Sequence, residues 1–446
     1  MKNRIFKSFV SLTTQLLAIS AVHVLAQQPI GQTTMAKTVF ENQEWLDCYF
    51  YEADRNDLPH VLLIGDSISA QYFGGVRNGL KGKAYVSRLG SSKAICLPAY
   101  FDEIKFVLSR NKYSVIHINN GLHGWGYTEN EYGQSLPVLM QLLKTYAPDA
   151  KLIWAATTPY RMGPRPFEKF HPNNDRVKVR NKIATDFMYK QQIPINDFYT
   201  LMEPHPEFYS DGAHFNNEGS AALAAQATQY ITKALEAISS VSTTSSNDTP
   251  ESKAAIEHNK YEYLNLNVYG ADRKDLPRVL LIGYSDGVKD ALNGKAYVSV
   301  FRSSKEFVQP AYFDEIKLVL SQNKYSVIHF AIANRLLGVS ENEYEQSLAK
   351  LVQLLKTYAP DAKLIWATAT PLRSGPPLFE KFHSDNDRVK ARNKMTVSLL
   401  SKQHFLIDDF YTLMEAHPEF YNKPEEEKAV LVPQIAQCIA QALESK

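Results

Sequence analysis

ADRNDLPHVLLIGDSIS, residues 53–69, holds the pattern that decides the fold. VLLIG at 61–65 is an unbroken apolar run of strand length. It stops at the polar pair Asp66-Ser67, and a helical stretch follows. An apolar run of this length between turn signals reads as a strand buried on both faces, as in a parallel sheet. The same stretch then occurs a second time, because ADRKDLPRVLLIG fills 271–283.

Working outward, NKYSVIH at 111–117 returns at 323–329, LLKTYAPDAKLIWA at 142–155 returns at 354–367, and DFYTLME at 197–203 returns at 409–415. The offset falls from 218 to 212 after the first pair of runs, so the second copy lacks six residues just beyond its first strand. A repeat of this size has to be read before any motif, since it sets the whole organisation. It predicts one domain over 41–236 and a second over 257–446. SSVSTTSSNDTPESK at 239–253 lies within an expected flexible linker at 237–256, rich in Ser and Thr and poor in apolar residues. Within each copy, runs such as KAYVS, SVIHI and KLIWAA alternate with helically spaced segments such as ENEYGQSLPVLMQLLKTYA. Strand, helix, strand in succession argues for a parallel sheet with helices on both faces. Sites in such sheets lie at the carboxyl ends of the strands.

Composition narrows the rest. The 446 residues exceed one ordinary core and suit two. A formal charge of +2 creates no single-sign field, so nucleic acid and anionic membranes are not expected partners. Residues 1–26, with Lys2, Arg4 and Lys7 ahead of an apolar stretch and Val24-Leu25-Ala26, read as an export signal, which predicts a secreted or periplasmic protein. No apolar run reaches the roughly 20 residues of a spanning helix. Three cysteines, Cys48, Cys96 and Cys438, exclude a disulfide framework. No His, Cys and carboxylate cluster has metal-ligand spacing, and no cofactor is expected.

Two short motifs carry the chemistry. Asp66-Ser67 stands where a strand meets a helix N-terminus, a place that favours a developing anion. Alone it reads more simply as a helix cap. Asp211-Gly212-Ala213-His214 precedes the last helix of the first copy. A serine hydroxyl becomes a nucleophile when a neutral imidazole takes its proton, and that imidazole needs a carboxylate to orient it. An Asp three residues before a His can supply both from one loop.

GDS after the first strand together with DxxH before the last helix resembles the SGNH (GDSL-type) hydrolase family, over about 41–236. The resemblance implies two tandem flavodoxin-like three-layer α/β/α domains with parallel sheets and hydrolysis of ester bonds. It implies Ser67 as nucleophile, His214 as base and Asp211 as its orienting acid, with a Gly90 backbone N–H in the oxyanion hole. The third family block, usually Gly-x-Asn-Asp, is here Asn119-Asn120-Gly121-Leu122-His123-Gly124-Trp125. One alignment puts the Asn119 or Asn120 amide at the hole and another puts His123 there; a subset of bacterial SGNH proteins with a similar block favours an Asn. Export and resemblance together point to a small-molecule or polysaccharide ester, O-acetyl groups among them. Acyl transfer with the same residues, or carbohydrate binding without catalysis, are the alternatives, and the oligomeric state is left open.

The second copy serves as an internal control. At the repeat offset, Gly65-Asp66-Ser67-Ile68 becomes Gly283-Tyr284-Ser285-Asp286, and Gly90 becomes Arg302. Asn119-Asn120-Gly121 becomes Ala331-Ile332-Ala333, His123 becomes Arg335, and Asp211 and His214 become Lys423 and Glu426. Only the serine survives, so the second copy is expected to be inactive. His117 and His205 return as His329 and His417 and read as structural.

Overall fold

A computed structural model describes residues 38–242, 261–332, 336, 338–375, 380–421 and 423–445. The expected export signal and residues 243–256 of the expected linker lie outside them.

The first half runs β1 (Gln43–Tyr51), β2 (His60–Gly65), α1 (Ser67–Gly79), β3 (Tyr85–Ser91), α2 (Pro98–Arg110), β4 (Val115–Ile118), α3 (Glu129–Tyr146) and β5 (Lys151–Ala155). A small hairpin of β6 (Arg161–Met162) and β7 (Lys169–Phe170) follows, then α4 (Asn174–Lys190), β8 (Ile195–Asn196), α5 (Phe198–Met202) and α6 (Asn217–Ser242). Local chemistry explains the boundaries. Asp66 accepts the Ile68 N–H and caps α1, Pro98 opens α2, and Thr128 with Glu131 forms a capping box at α3. Helix α6 continues to Ser242, so the first six residues of the expected linker are helical.

The second half repeats the order: β9 (Tyr261–Tyr269), β10 (Arg278–Gly283), α7 (Val288–Ala291), β11 (Tyr297–Ser303), α8 (Pro310–Gln322), β12 (Val327–Ala331), α9 (Glu341–Tyr358) and β13 (Lys363–Ala367). Hairpin β14 (Arg373–Ser374) and β15 (Lys381–Phe382), α10 (Asn386–Ser401), β16 (Leu406–Asp408), α11 (Phe410–Glu415) and α12 (Pro424–Glu444) complete it. Helix α7 spans 4 residues where α1 spans 13, which is where the six residues are missing.

The structure corrects one expectation: the halves do not hold separate sheets. Their strands form one 12-stranded sheet in the order β16-β13-β12-β10-β11-β9-β1-β3-β2-β4-β5-β8. Strands β3, β2, β4, β5 and β8 are mutually parallel, in the flavodoxin-like order. Strands β1 and β9 pair antiparallel with their neighbours and with each other. Asp47 faces Asn265 at the centre of the β1–β9 register, and these two residues are equivalent at the offset of 218. The halves therefore meet about a local two-fold, as an isologous dimer would. Across the seam Arg110 pairs with Glu262 at 3.3 Å, and Gln322 donates to the fully buried Glu103 at 3.0 Å.

In the first half, Tyr72 and Val76 of α1 and Leu223, Ala227 and Ile231 of α6 are buried with Val61 and Leu63 of β2. At about 1.5–3 kcal/mol per fully buried large apolar side chain, this layer fixes the frame on which β2 leads into α1 and Ser67.

Candidate active site

Ser67 and His214 are brought together from 147 residues apart. Ser67 is the first residue of α1, immediately past the carboxyl end of β2. Its Oγ lies 2.7 Å from His214 Nε2, and His214 Nδ1 lies 2.8 Å from Asp211 Oδ2. The other Asp211 oxygen accepts the N–H groups of Ala213 and His214 at 2.7 and 2.8 Å. Burial would raise the Asp211 pKa, but these two N–H groups and the His214 ring outweigh it and hold the carboxyl below its usual range. An Asp kept ionised and anchored by its own loop can fix one tautomer, with the proton on Nδ1 and the lone pair of Nε2 aimed at Ser67. The loop is fastened from outside as well: Gln71 of α1 exchanges two hydrogen bonds with the Phe215 backbone, and Arg161 N–H donates to Gly212 O.

The helix end contributes to the same spot. Asp66 takes the Ile68 N–H through Oδ1 and the Ser69 N–H through its carbonyl. The Ser67 N–H, the first of the helix, has no acceptor among the described residues. It is available to an oxygen bound at Ser67.

The remaining expected residues are near the strand ends but are not equally free. Gly90 is next to Gly65 across the parallel β2–β3 pair. A Cβ at Gly90 would stand 2.1 Å from Arg88 Nη1 and 3.2 Å from the Trp45 ring, so any side chain here requires the Arg88 guanidinium and Trp45 to shift. The glycine N–H has a different role from the expected one. Ser92 N–H donates to Trp45 O, and in an antiparallel ladder hydrogen-bonded pairs recur every second residue, which directs the Gly90 N–H at Asp47 of β1. Asn119 gives its amide to Ala155 O at 2.9 Å and to Thr157 Oγ1 at 3.2 Å. Asn120 accepts from Ile95 N–H and donates to Lys93 O, at 3.1 and 3.0 Å. Both amides tie the loop after β4 to neighbouring strands. His123 alone in this block holds its ring against an acid, with Nδ1 2.9 Å from Glu41 Oε2.

The sequence reading did not single out Glu41, Thr157 or Arg180. Arg180 of α4 is 1% exposed and donates to the carbonyls of Gly121, His123 and Gly124 at 2.8–3.0 Å. Thr157 presses on Gly121, where a Cβ would meet its Oγ1 at 2.1 Å. These contacts give the loop after β4 its shape. They lie 36 to 59 residues away in sequence, and no spacing signals them.

In the second half, Ser285 is buried and its Oγ accepts from Arg302 Nη2 at 2.9 Å, while the same nitrogen pairs with Asp286 at 2.7 Å. Lys423 and Glu426 face each other at 3.6 Å. His117 is buried with Nε2 2.9 Å from Asn196, and burial depresses its pKa to about 4. His329 pairs with Asp408 at 2.9 Å. His205 and His417 bond to Glu207 and Glu419 at 2.8 and 2.9 Å. Among the described residues, no group of three or more His, Cys, Asp or Glu could hold a metal ion, and no helix is long and apolar enough to cross a membrane.

No protein-family model and no curated protein matches the chain. Solved structures similar to it include a GDSL-like lipase from Bacteroides thetaiotaomicron, 18% identical, covering 39% of this chain and 88% of that one, with a TM-score of 0.32. The M. smegmatis aryl esterase is 13% identical over 40% of this chain and 99% of its own, TM-score 0.34. An acetyl xylan esterase is 16% identical over 39% and 99%, TM-score 0.33. These likenesses cover about two fifths of the chain, and the chemistry rests on the residues instead.

Proposed function

We propose that this chain is a serine esterase that works through an acyl-enzyme on Ser67. The observation behind this reading is the unbroken line from Ser67 Oγ to His214 to Asp211, at 2.7 and 2.8 Å. His214 takes the serine proton as Oγ attacks the ester carbon, and the carbonyl electron pair moves to oxygen. Collapse expels the alcohol, which leaves with that proton. Water then attacks the acyl carbon with His214 again as base, and collapse breaks the bond to Ser67 Oγ, which takes the proton back from His214 as the carboxylic acid leaves. Asp211 stays ionised throughout and stabilises the imidazolium.

Residues 41–236 and 257–446 are a duplicated SGNH-type pair, and the second is catalytically silent because a guanidinium occupies its serine and the base and acid positions hold Glu426 and Lys423. The basic, then apolar, start of the chain supports export, and an exported esterase of this kind would meet O-acetyl groups on polysaccharide. Purified protein assayed on aryl esters of increasing chain length, beside acetylated xylan and pectin, tests both parts. Turnover that is lost in Ser67→Ala supports the reading, and turnover that survives Ser67→Ala refutes it.

A further inference from the structure

An oxyanion formed at Ser67 needs donors that are not already engaged. The Asn119 amide gives both its N–H groups to Ala155 and Thr157, the buried Asn120 amide gives one to Lys93 O, and the Gly90 N–H is directed at β1. His123 differs. Its Nδ1 faces Glu41, whose second oxygen accepts the Gly124 N–H at 3.0 Å. Its Nε2 has no hydrogen-bond partner among the described residues, and the side chain is 20% exposed. The ring meets Trp45 edge-on at 6.4 Å between centroids, and Trp45 in turn packs against Gly90, the neighbour of Gly65. Through Trp45 the imidazole is linked to the ends of β3 and β2, and the loop that carries it leaves β4, the other parallel neighbour of β2, at the switch point of the sheet.

Resting on the esterase reading, we propose that Glu41 and His123 form a second carboxylate–imidazole pair, in which the His123 imidazolium is a charged donor to the oxyanion and Glu41 is the positioning residue that keeps it oriented and protonated. The donor is not consumed. Electrons move onto the ester oxygen as Ser67 attacks and return when the alcohol leaves, while the proton in transit belongs to His214 and His123 keeps its own.

Three considerations support the pair. First, a neutral imidazole bonded through Nδ1–H has no second proton, so donation from Nε2 requires the cation. The groups that act on the ring favour it: burial opposes the charge, but the hydrogen bond and charge of Glu41 outweigh burial, with Asp66 and Glu44 adding to them, and the pKa is raised. Arg180, the nearby cation, bonds to the His123 carbonyl rather than the ring. Second, Glu41 is held from three directions, by its own N–H on Glu44, by Gly124 and by the ring. Third, the second copy loses both members together. Glu41 becomes Asn259 and His123 becomes Arg335, whereas Glu44 and Arg180 persist as Glu262 and Arg392. A pair kept for packing alone has no reason to vanish with the triad.

The pair has a signature that a neutral donor lacks. His214 must be neutral and His123 charged, so kcat/KM against pH is expected to be bell-shaped, with the alkaline limb belonging to His123. The test uses the full chain and p-nitrophenyl acetate. His123→Asn should lower kcat by about 10²–10³-fold, the usual cost of one oxyanion donor, with little change in KM and no alkaline limb. Glu41→Gln should keep the limb but move it to lower pH. A Ser67→Ala protein with no turnover, alongside His123→Asn within twofold of the parent and an unchanged profile in Glu41→Gln, would overturn this proposal and leave the triad standing. Residual turnover in Ser67→Ala would instead overturn the esterase reading beneath it. Should either loop variant fail to fold, the His123 ring can be titrated by NMR in Ser67→Ala, where a pKa at or below the ordinary value of about 6.5 refutes the pair.

Discussion

At the scale of the residue, the proposed unit of Ser67, His214 and Asp211 predicts that removing Ser67 or His214 alone costs nearly as much as removing all three. Ser67→Ala and His214→Ala are each expected to abolish turnover of aryl acetates, with unchanged circular dichroism. Asp211→Asn should cost less than His214→Ala, because Gln71 and the backbone still hold the loop that carries the ring. Equal losses in both would show that orientation rests entirely on the carboxylate. The neighbouring pair adds a pH dependence of stability. Glu41 is held below its usual range, because the His123 hydrogen bond and charge outweigh burial, so its contribution is present above its unfolded pKa and fades as pH falls through the folded one. His123 is raised, so its contribution is full below its unfolded pKa and fades as pH rises through the folded one. The pair should therefore stabilise most between the two unfolded values and lose that contribution towards each folded one. The difference in urea midpoint between parent and Glu41→Gln, followed against pH, should be largest there and shrink on both sides. The triad was legible because each motif has a fixed spacing and stands where a strand meets a helix. Glu41 was not, since it lies at the very edge of the repeated region, outside any periodic segment, and its partner comes 82 residues later.

At the scale of the element, the loop after β4 is shaped by what it touches. Arg180 satisfies three of its carbonyls from a fully buried position, and the guanidinium lies 4.7 Å from the centroid of the Trp125 ring. A lysine at this place offers a point charge without the planar fork. Arg180→Lys is therefore expected to leave carbonyls of Gly121, His123 or Gly124 unpaired, at about 1–3 kcal/mol each, and to lower the melting temperature and kcat together. A drop in melting temperature with kcat intact would separate the shape of the loop from catalysis. Gly121→Ala tests the same geometry from the other side, since its methyl group has to displace Thr157 and, through Thr157, the amide of Asn119. The apolar strands β2, β4 and β5 were legible because unbroken apolar runs have few other solutions. Strand β1 was not singled out: its buried residues alternate with half-exposed ones, Leu46, Cys48 and Phe50 pointing inward. Its role comes from β3 and β9 on either side, contacts that local sequence does not announce.

At the scale of the molecule, the repeat was plain in the sequence, but the way its copies join was not. Nine residues of β1 pair with nine of β9, so Leu46, Cys48 and Phe50 are buried beside Leu264, Leu266 and Val268 in one continuous sheet. The copies also share a buried polar contact: Glu103 is fully buried with Lys93 at 2.8 Å and takes a hydrogen bond from Gln322 of the other half. Separating the halves would expose two long, apolar edge strands and strip Glu103 of one of its donors. Folding should thus be cooperative across the whole described chain, although the proposed chemistry belongs to one half. Leu264→Asp tests this, because it places a carboxylate in the shared core while leaving Ser67, His214 and Asp211 untouched. It is expected to cost on the order of 3 kcal/mol or more. In urea, activity on an aryl acetate and far-UV ellipticity should be lost together, in the parent and, at a lower midpoint, in the variant. If the variant instead unfolded in two steps, with esterase activity surviving the first at the parental midpoint, the seam would be a passive contact, and the second half would contribute nothing to the stability of the site in the first.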